Sequence, residues 1–103
     1  MGLERKGFFM PFVREQSGGT ETTVLKGYGI GLVVQKTFFK KYKNFTVDKG
    51  CTLKQANTLP DTDGTTIATL SSGVTYNVTD YTINTDYVNF RSLGDSIVVT
   101  LIP

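Results

Sequence analysis

The chain has 103 residues, the length of one domain, and holds sixteen Thr and ten Val against two Ala, three Glu and no Trp. β-Branched side chains pack well on a pleated surface and good helix formers are scarce, so the balance predicts an all-β protein and excludes helical bundles and coiled coils. The net charge of +2 hides an asymmetry, since residues 1–49 carry nine Lys/Arg and four Asp/Glu (+5) while residues 50–103 carry two and five (−3), a pattern of nucleic-acid binding by the basic half or of head-to-tail contact between like subunits.

Residues 1–20 read as an arm. Leu3-Glu4-Arg5-Lys6 is charged, Phe8-Phe9-Met10-Pro11-Phe12-Val13 is apolar without helical or strict strand period, and Ser17-Gly18-Gly19-Thr20 is a flexible joint. Phe8, Phe9 and Phe12 are costly to leave in water, so the arm is expected to dock on this domain or on a neighbouring subunit. The apolar run is too short for a membrane span or a signal-peptide core, and the expectation is a protein made in the cytoplasm with no membrane partner.

From residue 21 to 103 the chain reads as a single β domain. Thr22 to Tyr28 and Ile30 to Phe39 are predicted strands, bent at Gly27, Gly29 and Gly31. That glycine run lacks the helix whose N-terminus holds a dinucleotide pyrophosphate, and glycines inside strands mark bulges or close packing. Lys36, Lys40, Lys41 and Lys43 then alternate with Phe38, Phe39, Tyr42 and Phe45. Rings that stack on bases, beside ammonium groups that hold phosphates, form a platform for single-stranded nucleic acid. The other reading is a strand end and solvated turn whose rings enter the core.

Phe45-Thr46-Val47 and Thr52 to Ala56 are short strands, with Cys51 between them as a small buried hydrophobe. A lone cysteine forms no internal disulfide and no thiolate cluster. Leu59 to Gly64 is a loop, and its Asp61-Thr62-Asp63-Gly64 reads as a plain turn without EF-hand spacing. Thr65 to Leu70 and Val74 to Thr79 are expected to pair as a hairpin through Ser71-Ser72-Gly73, with Val74, Tyr76 and Val78 on the buried face. Tyr81 to Ile83, Tyr87 to Phe90 and Ile97 to Ile102 complete the strands, with a turn at Leu93 to Ser96. Short strands at this spacing predict a small barrel or sandwich behind an extended N-terminal arm.

Within that pattern, Leu53 with Pro60, the run Ile67-Ala68-Thr69-Leu70-Ser71-Ser72-Gly73-Val74, Tyr87-Val88-Asn89-Phe90-Arg91 and Ser96-Ile97-Val98-Val99 resemble, over residues 49–103, a bacterial SH3-like domain. The resemblance implies a cell-wall or peptide-binding module. The family's Asn-x-Arg is replaced by Lys54-Gln55-Ala56, and its groove tryptophans are absent. In overall style, a short Thr/Asn/Gly-rich β chain with an apolar arm and no histidine resembles the small accessory proteins of tailed-phage particles, such as capsid decoration or head-tail subunits. This second resemblance implies a virion protein whose partners are like or unlike protein subunits.

No histidine means no Ser-His-Asp or Cys-His site and no His-rich zinc site within one copy. Asp61, Asp63, Asp80, Asp86 and Asp95 all fall in expected turns, where Asp most often bonds the local backbone. The expectation is a non-enzymatic structural protein without cofactor or metal, contacting its assembly through Phe8, Phe9 and Phe12. A wall or peptide binder and a nucleic-acid binder using Lys36, Lys40, Lys41 and Lys43 are the alternatives.

Overall fold

The computed structural model describes residues 4–5, 8–9, 21–28, 31–56, 65–92 and 96–103. The strands are β1 (Glu4–Arg5), β2 (Phe8–Phe9), β3 (Thr23–Tyr28), β4 (Leu32–Gln35), β5 (Asn44–Val47), β6 (Cys51–Ala56), β7 (Thr66–Leu70), β8 (Tyr76–Asn77), β9 (Tyr87–Ser92) and β10 (Ser96–Ile102), with one helical turn, α1 (Lys36–Phe39), and a 3-10 turn at Val78–Asp80. They form two sheets. The first has the order β1-β2-β4-β9-β6-β7 and the second β3-β10-β5-β8. All pairings are antiparallel except β2 with β4. The expected all-β architecture is therefore present, as two sheets around one core.

Alternation builds that core. On β10, Ile97, Val99 and Leu101 are buried between half-buried Ser96, Val98, Thr100 and Ile102, as a strand with one face inward requires. From the first sheet, Leu32, Val34, Leu53, Leu70, Val88 and Phe90 join Leu25, Val47, Ile97, Val99 and Leu101 of the second in one cluster. Phe45 lies at its centre, in ring contact with Phe39, Tyr76, Tyr81 and Phe90. Burying each large apolar side chain contributes about 1.5–3 kcal/mol, so this ring cluster is a main source of cohesion.

The two sheets are sewn together from both halves of the chain. β9 lies between β4 and β6, and β10 between β3 and β5. Of the strands in residues 49–103, β8, β9 and β10 thus pair with strands that precede the segment, while β6 and β7 pair within it.

Three local expectations need correction. The predicted strand over Ile30 to Phe39 ends at Gln35, and Lys36–Phe39 is a helical turn; Ile30 lies outside the described residues. The cause is the spacing of Phe38, Phe39 and Tyr42, which suits a helical face: all three are buried, and Phe38 meets Tyr42 edge to face at 5.2 Å. Secondly, Ser71-Ser72-Gly73 does not close a hairpin. β7 pairs with β6 in the first sheet and β8 with β5 in the second, because Tyr76 stacks on Phe45 across 5.4 Å while its hydroxyl accepts from Ser71 N at 2.7 Å. The regular strand there shrinks to Tyr76–Asn77, and Val74 is exposed. Thirdly, Tyr81 to Ile83 is irregular, although Ile83 is buried.

Glycine is required at the β3 to β4 reversal. A Cβ on Gly27 would lie 2.7 Å from Leu32 Cβ, and one on Gly31, whose φ is +130°, would lie 2.5 Å from Asn89 Oδ1. Gly27 and Gly31 thus provide close packing, while Gly29 lies outside the described residues.

Candidate functional site

The basic segment is a helical turn with its rings turned inward. Phe38, Phe39, Tyr42 and Phe45 are all buried, so they offer no face to a base, and the stacking half of a nucleic-acid platform is occupied by the core. Lys40, Lys41 and Lys43 are exposed and Lys36 is half-buried. Lys40 is a strut: its Nζ donates to the carbonyl oxygens of Tyr81 at 2.7 Å and Val78 at 3.3 Å. Lys36 N–H donates to Asp86 O at 2.8 Å, and Val78 N–H donates to Lys43 O at 2.9 Å.

These bonds bring Val78 to Asp86, with exposed Asp80 and Asp86, against the lysine segment. Asp80 also acts on Tyr81, whose phenol is pushed up by burial first, then by Tyr76 and Asp80.

The other expected site is the arm. Glu4–Arg5 and Phe8–Phe9 form an antiparallel ribbon, with Glu4 opposite Phe9 and Arg5 opposite Phe8, and Phe9 is in parallel register with Leu32 of β4. β4 has β9 on its other side. β1 and β2, the described part of the arm, thus lie at the edge of the first sheet. Phe12 lies outside the described residues, as do Asp61, Asp63 and Asp95.

Two features were not anticipated. On β3, Val24 and Tyr28 are 55% and 42% exposed, with exposed Lys26 between them. In register beside them stand half-buried Thr100, Val98 and Ser96, and Thr46 follows Thr100 on β5. The result is a β-branched outer face on the second sheet with a lysine guarding its edge strand. The alternation of Val24, Lys26 and Tyr28 with Leu25 and Gly27 carried that signal.

The second feature is Asn89. It is 1% exposed, and neither its Oδ1 nor its Nδ2 has a hydrogen-bond partner among the described residues. It is in register with Val33 and Lys54, on the side of the first sheet opposite Val88 and Phe90.

Cys51 is buried, and burial first, then the charge of Asp48, pushes its thiol up to about 11. A thiol held neutral is a poor nucleophile. Asp48 instead extends the β5 to β10 pairing, its Oδ1 accepting from Val98 N at 2.9 Å and its own N–H donating to Val98 O at 3.1 Å. Among the described residues no group of three or more Cys, Asp or Glu could hold a metal ion, and no helix is long and apolar enough to cross a membrane.

Comparisons with protein-family models, with curated proteins and with solved structures find no match.

Proposed function

We propose that this chain is a non-enzymatic structural subunit of a multi-protein particle, of the kind represented by phage capsid decoration or head-tail components, attached through its N-terminal arm and its sheet edges. The observation that carries this reading is the place of the arm. Glu4–Arg5 and Phe8–Phe9 form a ribbon on the edge of the first sheet, and the sequence between this ribbon and β3 contains Ser17-Gly18-Gly19-Thr20. Edge pairing supplies affinity through main-chain hydrogen bonds and is a general route to binding another chain. The outer face bearing Val24, Tyr28, Thr46, Val98 and Thr100, with Lys26 on its edge strand and Lys49 donating to Ser96 at 3.3 Å, adds a surface suited to packing a neighbour.

The test is deletion of residues 1–14 with incorporation into larger species as the readout. Loss of incorporation, with the circular dichroism of the β domain kept, supports the reading; unchanged incorporation removes the arm's role. The wall-binding alternative has no observation favouring it over this one. The nucleic-acid alternative loses its stacking rings to the core.

A further inference from the structure

We draw no further inference here: the strongest candidate, the edge strand β7 of the first sheet, whose Thr66 and Thr69 are exposed and which lies in a run without charged residues from Gly64 to Thr79, carries nothing because nothing in the structure shows what covers it.

Discussion

Lys40 Nζ donates to the carbonyl oxygen of Tyr81 at 2.7 Å, so a lysine that reads in the sequence as part of a basic patch is a tie between α1 and the segment after the 3-10 turn. Lys40→Met should remove this bond and the longer one to Val78, lowering stability by about 1 kcal/mol, the worth of an ordinary hydrogen bond. Lys41→Met and Lys43→Met, at exposed positions, should stay within about 0.5 kcal/mol of the parent. Urea denaturation of the three variants checks the contrast.

Asn89 predicts a gain. With no partner among the described residues, its buried carboxamide carries its full desolvation cost there, so Asn89→Leu, of similar size, should stabilise the chain by about 1–3 kcal/mol. Asn89→Asp places a charge in the same site and should destabilise it. Gly31→Ala must also destabilise, since its Cβ would meet Asn89 Oδ1 at 2.5 Å and Phe90 O at 2.7 Å at a positive φ. The thermal midpoints of the three variants decide these signs.

The pH dependence follows from Cys51. Its folded-state pKa is raised from 9.0 to about 11, so the folded state keeps its thiol proton where the unfolded state has lost it. This contribution to stability is full below pH 9 and is lost as the pH rises from 9 toward 11. Tyr81 shifts in the same direction, so the comparison is made in a Tyr81→Phe background. There the alkaline fall in the urea midpoint should be shallower in Cys51→Ala than in its Cys51 parent. Alkylation of Cys51 in the native chain at pH 8 should be slow and should accelerate on unfolding.

The outer face of β3 separates folding from association. Val24→Ser and Tyr28→Ser, at exposed positions, should change stability by less than about 0.5 kcal/mol and weaken assembly. Equal weakening of both properties would assign these residues to the fold alone.

Much of the architecture was legible because burial and strand period coincide in it. Ile97, Val99 and Leu101 alternate with Val98 and Thr100, and Leu25 and Gly27 alternate with Lys26 and Tyr28, as a one-sided sheet demands. What was not legible depends on partners distant in the chain. Gln35 offers no side-chain cap to α1, so the helical turn had only the spacing of Phe38 and Tyr42 to announce it. Ser71-Ser72-Gly73 is a turn as expected, yet the choice between hairpin and crossover was made by Tyr76 meeting Phe45, thirty-one positions away. The lysine site failed as a stacking platform for the same reason. The helical turn directs Phe38 and Phe39 inward, where Phe39 meets Phe45 and Phe90.

Whether the arm makes this chain a subunit is read from the mass of the purified chain in solution, measured by sedimentation over a wide concentration range with and without residues 1–14. A subunit held by its arm should show concentration-dependent association, or a stoichiometric complex with a co-purifying protein, that the deletion abolishes. A lone, stable monomer at every concentration, purifying without a partner and unchanged by the deletion, would contradict it.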